Sequence, residues 1–329
     1  MSLFLRPRRR FFPLALAAAV LSLSLDLPAW AGFTSGDAGT SGAQFLKLGA
    51  GARAEGMAEA YTAVVDGADA IYWNPAALAL IKVRSACFAY SPLAAGINYE
   101  FLGYGQKLGS LGGIGGGVQY VSQPGIDETD SSGFATGNTF HPSDLAAALG
   151  YAYTIQGDLG ALLQGATLGA TGKFIRSTIT KSVNAYAFDL GYLSPAVKLW
   201  DGDFRLAYVA QNLGGKIRFQ QAGDNLPTNL RLGSSYAVNS QWLLALDFNE
   251  PLDNTPYLSF GTEYLYQPDE ETSFAVRAGV NTRAWGAVSD LSAFSIGFGG
   301  KFRQFGVDYA FSPMGSLGTA NHVSVNFSF

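Results

Sequence analysis

Cysteine is nearly absent from the 329 residues. Cys87 stands alone, so no intrachain disulfide staples the fold. Its apolar, strand-like surroundings mark it as buried or lipid-facing filler. Charge is scarce as well. Charged residues make up 14% of the chain, against roughly 25% in an average soluble protein, too few to coat a soluble enzyme. The net charge is −4 with no basic patch, which argues against nucleic acid as a partner. Beyond residue 31 no apolar run approaches the ~18 residues of a transmembrane helix. The stretch "LGGIGGGV" at 111–118 is followed by no Gly-Lys-Ser/Thr and is not a phosphate loop. Nothing in the chain calls for a cofactor or a metal.

Glycine and aromatics are plentiful. There are 41 glycines, and aromatics reach 13%. The ending "HVSVNFSF" shows how they are used. Val323, Val325, Phe327 and Phe329 alternate with His322, Ser324, Asn326 and Ser328, the two-residue period of a strand with one greasy and one wet face. The same beat recurs in "QFGVDYAF", "AFSIGFGGKF", "SFAVRAGVN", "QWLLALDFN" and "DLAAALGYAYTI". It runs through 183–193, 203–212, 229–238 and 257–266, and more faintly through 84–91, 97–107, 113–123 and 165–177. The apolar face is large and often aromatic. The other face is small or polar and too poor in charge to meet bulk water as a protein surface.

A barrel in lipid explains that inversion, greasy outside and small or polar inside. Segments of about ten residues match the span of a tilted membrane strand. About 14 of them are present, an even number, which predicts an all-β, antiparallel transmembrane barrel. With the first strand running outward, the long connections 124–142, 213–228 and 282–291 all fall on the outer side, as such barrels require. The turns at 239–240 and near Arg303 fall inside, while 156–164 and 194–202 are longer than an ideal inner turn.

The N-terminus reads as an address. "RPRRR" is a basic region, "FFPLALAAAVLSLSL" an apolar one, and "AWA" fits a small-x-small cleavage site, so the signal peptide is 1–31 with cleavage after Ala31. A Sec-type route is expected over twin-arginine export, because a membrane barrel crosses the inner membrane unfolded. Cleavage removes four Arg and one Asp and takes the net charge from −4 to −7.

Residues 32–83 do not alternate. Phe45, Leu46, Met57, Tyr61 and Trp73 are large anchors in a chain otherwise rich in Gly and Ala, including Gly49 and Gly51. "MAEAYTAVV" and "PAALALI" read as short helical turns, with Asn74 initiating a turn and Pro75 at a helix N1 position. A barrel of this size has a lumen wide enough to be plugged, so 32–83 is expected to form a hatch inside it and 84–329 the barrel. Arg53 then lies in the lumen and needs a partner; the inward-facing acids Asp247, Glu263 and Asp308 are candidates, beside the inward cations Arg277 and Lys301. A solvated arginine in a wet lumen is the alternative.

"AQFLKLGAGARAEGMAEAYTAVVDGADAIYWNPAAL" closely resembles the N-terminal signature of the PorV/PorQ family, part of the FadL-like superfamily. "VDYAFSPMGSLGTANHVSVNFSF", "LALDFNEPLDNTPYLSFGTEYLY" and "FAVRAGVN" are similar to family segments too, so the resemblance spans the mature chain. It departs at Met57–Ala58–Glu59, where the family usually has Met-Gly-Gly-like residues. The resemblance implies a 14-stranded bacterial outer-membrane barrel with a hatch that carries an Asn-Pro-Ala turn, here Asn74, Pro75 and Ala76. It implies either a secretion role, in which the barrel docks protein partners of a type IX system, or a FadL-like channel for hydrophobic small molecules. The terminal Phe329 resembles the signature by which the barrel assembly machinery recognises its substrates.

The glycines Gly112, Gly113, Gly115, Gly116 and Gly117 carry two readings: a strand kink giving a lateral gate, or close packing of wall against hatch. Enzyme chemistry is not expected. His141 precedes a proline in an outer loop. His322 with Ser324 and Asp308 would need a triad geometry that a sequence does not supply. The acidic run "DETD" (127–130) lacks calcium-ligand spacing.

Overall fold

A computed structural model describes residues 39–157, 163–219, 223–284, 290–315 and 318–329. The signal peptide and its cleavage site at Ala31 lie outside the described residues. Fourteen antiparallel strands close into a barrel. They are β1 Arg84–Pro92, β2 Asn98–Lys107, β3 Gly113–Ser122, β4 Ser143–Thr154, β5 Thr167–Thr178, β6 Ser182–Leu193 and β7 Gly202–Gly214. The second half comprises β8 Asn229–Ala237, β9 Trp242–Pro251, β10 Tyr257–Tyr266, β11 Thr272–Asn281, β12 Phe294–Phe302, β13 Phe305–Pro313 and β14 Thr319–Ser328. Each pairs with its sequence neighbour, and β14 pairs with β1, with Ser85 opposite Ser328 and Tyr90 opposite Val323. Closure leaves no edge, the condition for a sheet in hydrocarbon.

The alternation read from sequence sets the faces. Leu149 is 77% exposed and Tyr186 69%, with Phe305, Val307 and Tyr309 on the same outward surface. Asp308, Ser324 and Ala310 face inward and are buried. Outward aromatics gather near both rims. Trp200, Trp242, Phe302 and Phe305 lie at one end, Tyr90, Tyr120 and Phe294 at the other, the interfacial girdles of such barrels. The connection between β3 and β4 forms an exposed hairpin, Ile126–Thr129 paired with Ala135–Phe140, that rises from the long-loop end. That end is the outer one by the same asymmetry, and β1 starts and β14 finishes at the other.

The inner face departs from small and polar on one side. Tyr99, Phe101, Val121, Ile175, Leu193 and Val209 point inward and are buried. Here the wall packs against the hatch instead of water, so its alternation is apolar on both faces and reads as blurred in the sequence. The hatch begins beside the outer rim with the 3-10 turn Gln44–Lys47. It continues through helix α1, Ala52–Gly56, and helix α2, Ala70–Trp73, into the 3-10 turn Pro75–Leu80. "MAEAYTAVV", read from sequence as short helical turns, forms turns at 57–59 and 62–64 with no regular helix. Ala58 and Glu59 have φ of 51° and 67°, left-handed values that end the helix at Gly56.

Candidate functional site: the hatch and the wall that holds it

The hatch touches two opposed sectors of the wall. α1 lies against β11–β14, and the turn Pro75–Leu80 against β2–β6. Phe45, Leu46, Met57, Tyr61, Trp73, Asn74, Pro75 and Ala76 are all buried. Trp73 sits at the centre, edge-on to Tyr61 and Tyr72, and its indole N–H donates to the Ala50 carbonyl at 2.6 Å. Gly49 packs against that ring, and Gly51, at φ 91°, turns the chain into α1.

The β2–β6 sector is fitted by shape. Asn74 caps the last hatch turn: its side-chain oxygen accepts from the Ala76 amide at 3.1 Å, while its amide donates to the carbonyls of Thr62 and Tyr192. This turn drops into a notch made by two wall glycines. A Cβ at Gly169 would run into Pro75, and one at Gly191 into the Asn74 side chain. The glycines of β3 lie on the same seam. A Cβ at Gly113 would strike the Leu78 carbonyl, one at Gly115 would come within 2.6 Å of Leu78 Cδ2, and one at Gly117 within 2.8 Å of Ile71. Gly116 faces outward beside Leu149, and Gly112 turns the chain at φ 103°. β3 keeps an unbroken register with both β2 and β4, so the pairing runs through these glycines without a bulge. The wall's register shift falls instead between Ala210 and Leu213 of β7 against β6.

That bulge is pinned by a buried cluster. Lys173 on β5 and Asp189 on β6 form an ion pair at 2.7 Å, with side chains 3% and 0% exposed. Lys173 also donates to the Asn212 side chain, and the Asn212 amide donates to Asp189 at 2.7 Å. Asn212, at φ 57°, supplies the turn of the bulge. Gln211 reaches inward to the Tyr72 carbonyl at 2.7 Å.

The opposite sector is held by charge. Arg53 donates to both oxygens of Glu263, at 2.8 and 2.9 Å, and to Asp66 at 3.0 Å. Glu263 in turn takes Arg277 at 2.6 Å, Arg277 takes Asp308 at 2.7 Å, and Asn326 completes the chain at 2.8 Å. Burial works against the Arg53 charge, but Glu263, Tyr61 and Asp66 outweigh it and keep the guanidinium protonated. Of the three acids named from sequence, Glu263 meets Arg53 directly and Asp308 lies three links away, through Glu263 and Arg277. Asp247 has a different task, accepting from the amides of Tyr61 and Thr62 at 3.1 and 2.9 Å. Lys301 lines an inner vestibule of about 650 Å³ below this network, together with Asp66, Asp69 and Phe329.

Sequence reasoning missed a second ionic group. Glu59 meets Arg283 at 3.1 Å and Arg231 at 3.8 Å, and Arg231 lies over the Trp73 ring at 4.8 Å. The inward position of Arg231 on β8 was the available signal. Glu59 accepts left-handed backbone at φ 67° while supplying the carboxylate these arginines share. Burial pushes two hatch carboxyls up: Glu55 to about 8, with Glu59 beside it, and Asp69 to about 7, with Asp66 beside it.

No triad forms around His322. Its Nδ1 lies 2.8 Å from Ser91 Oγ and its Nε2 3.9 Å from Glu55. Ser324 accepts from the Ala52 amide, and Asp308 belongs to Arg277. The acids of the outer hairpin bind its own side chains and amides. Among the described residues no group of His, Cys, Asp and Glu is placed to hold a metal.

A 14-stranded barrel with greasy walls, aromatic girdles and an N-terminal plug is a bacterial outer-membrane protein of the secretion and transport class. The chain belongs to the family of the type IX secretion system protein PorV, whose sequence profile matches residues 34–256, from the hatch into β9 and the turn after it. No curated protein matches it in sequence. Its fold is shared with solved outer-membrane transporters. The toluene transporter TodX of Pseudomonas putida is 12% identical, with a TM-score of 0.54 over 85% of this chain and 99% of that one. The toluene transporter TbuX of Ralstonia pickettii is 14% identical, with a TM-score of 0.51 over 85% and 98%.

Proposed function

We propose that this protein is a docking barrel of a secretion or surface-export assembly in the bacterial outer membrane, and that its hatch closes the lumen while partners bind at the rims. The observation that carries this reading is the family match, which covers the hatch and strands β1–β9, among them the β2–β6 sector that seats the Pro75–Leu80 turn. The outer hairpin supports it, since Phe134 at its tip is 73% exposed and such an apolar tip suits contact with another protein better than contact with water. In this reading residues 1–31 direct Sec-type export and are cut after Ala31, and Phe329, just past the end of β14 and packed on Phe327, serves the assembly machinery.

A second reading is a channel for hydrophobic small molecules. The fold shared with the toluene transporters and the break in the β6–β7 register favour it. The gate in that case would lie at the β7 bulge and not at the β3 glycines.

Native mass spectrometry of the protein, extracted from its own membrane in mild detergent, separates the two. A retained protein subunit supports docking. A retained hydrophobic small molecule, with no protein partner, overturns it in favour of transport.

A further inference from the structure

The buried cluster at the β7 bulge brings together the groups of an amide-forming reaction. Lys173, Asp189 and Asn212 come from three successive strands, β5, β6 and β7, and meet on the inner side of the wall. The side chains of Lys173 and Asp189 are 3% and 0% exposed, and Asn212 is 3% exposed. Ile71, Tyr72, Phe101, Ala146 and Ala148 stand around Lys173, so its surroundings are mostly apolar.

The three groups are aligned for reaction. Lys173 Nζ lies 2.7 Å from Asp189 Oδ2 and 2.8 Å from Asn212 Oδ1. Oδ1 is bonded to Cγ, the atom of an amide that a nucleophile attacks. The Asn212 side-chain nitrogen points away, donating to the Pro227 carbonyl at 3.0 Å. The Asn212 backbone amide holds the other oxygen of Asp189 at 2.7 Å. An amine, an amide carbonyl and a base are thus held within hydrogen-bond reach by the fold, the condition under which such groups react. Burial favours the outcome as well. A buried ion pair carries a desolvation cost, and water that would compete for Cγ is excluded.

We propose that Lys173 and Asn212 join in an isopeptide bond, with Asp189 as the base. Lys173 passes one proton to Asp189, and the neutral amine attacks Cγ of Asn212. The Nζ–Cγ bond forms, and the proton that Nζ then sheds goes to the Asn212 side-chain nitrogen. The Cγ–Nδ2 bond breaks and ammonia leaves. Asp189 ends as the neutral acid, able to donate to the new amide carbonyl. No oxidant, reductant or co-reactant is consumed, and both buried charges disappear. The bond staples β5 to β7 across the register shift between β6 and β7. It goes beyond the docking role and stands whether or not that role holds.

The test is peptide mapping by mass spectrometry. The mature protein is purified in detergent, boiled in denaturant and digested with trypsin. Cuts after Arg205 and Lys216 leave Asn212 in the peptide 206–216. That peptide should be joined to the one that contains Lys173, lighter than their sum by one ammonia, with fragmentation placing the link at Lys173 and Asn212. D189N, its folding followed by heat-modifiable migration on gels, should lose the linked peptide. The wild-type map decides by itself whether the bond exists. A free 206–216 peptide with no linked form would overturn the proposal. So would a link from Lys173 to Asp189 with loss of water, or a linked peptide at the wild-type level in folded D189N.

Discussion

Arg53 and Glu263 face each other across 210 residues of sequence, joined by two parallel hydrogen bonds of 2.8 and 2.9 Å. One belongs to the hatch and the other to β10. Glu263 is shared with Arg277, so a single carboxylate ties the plug to the wall and holds the wall cation in place. Removing one member of such a buried group leaves the others uncompensated, at a cost of about 3–5 kcal/mol. E263Q is therefore expected to raise amide exchange through residues 50–66 while the strands far from it stay protected. R53M produces the same local loss. Unchanged hatch protection in R53M would show that the arginine is merely solvated.

The glycine notch makes a steric prediction. G169V and G191V each place methyl groups where the Asn74–Pro75 turn sits. Overpacking of a fitted seam costs about 1–3 kcal/mol, and here the hatch can yield more easily than the hydrogen-bonded wall. Protease cutting within residues 66–83 should rise from the inner side, with the barrel itself still resistant. Equal protection of the hatch in both variants would mean that the notch does not seat it.

These two sectors show how far the sequence could be read. All fourteen strands lie within a few residues of the segments found by alternation, because a lipid-facing strand must alternate and its period survives in any context. The hatch path could not be read that way. Its residues follow no period, and the Arg53–Glu263 and Asn74–Tyr192 contacts join segments more than a hundred residues apart. Lys173, Asp189 and Arg231 were legible only as inward-facing charges. Their partners depend on barrel registers that a one-residue change would reverse. The left-handed turn of the β7 bulge falls on Asn212 and not on the glycines Gly214 and Gly215 that follow it.

Ala58 tests the backbone strain at the end of α1. Its φ is 51°, a region that costs a non-glycine residue about 1–2 kcal/mol. A58G should stabilise the protein by about 1 kcal/mol in urea unfolding. E59G relieves similar strain but removes the carboxylate shared by Arg231 and Arg283, so it should destabilise. If both glycine variants gain stability, the ionic role of Glu59 is wrong.

The hatch carboxyls set a pH dependence. Asp69 rises from 3.8 to about 7 and Glu55 from 4.5 to about 8, in both cases chiefly by burial. A carboxyl whose pKa is raised in the folded state holds its proton more tightly there than in the unfolded chain. Its contribution to stability is full below the unfolded value and is lost as pH rises through the folded value. Hatch seating should therefore weaken between about pH 4.5 and pH 8, and D69N should flatten the lower part of that slope. Amide exchange of residues 60–72 at pH 5 and pH 8, corrected for intrinsic rates, measures it. Stronger protection at pH 8 would contradict the burial of these groups in protonated form.

Conductance in planar bilayers tests the central claim, that the hatch is seated in the lumen and closes it. The intact protein should insert and show no steady open pore, and the E263Q/R53M double variant should open intermittently to a large conductance. A steady, ohmic open pore from the intact protein would contradict the account.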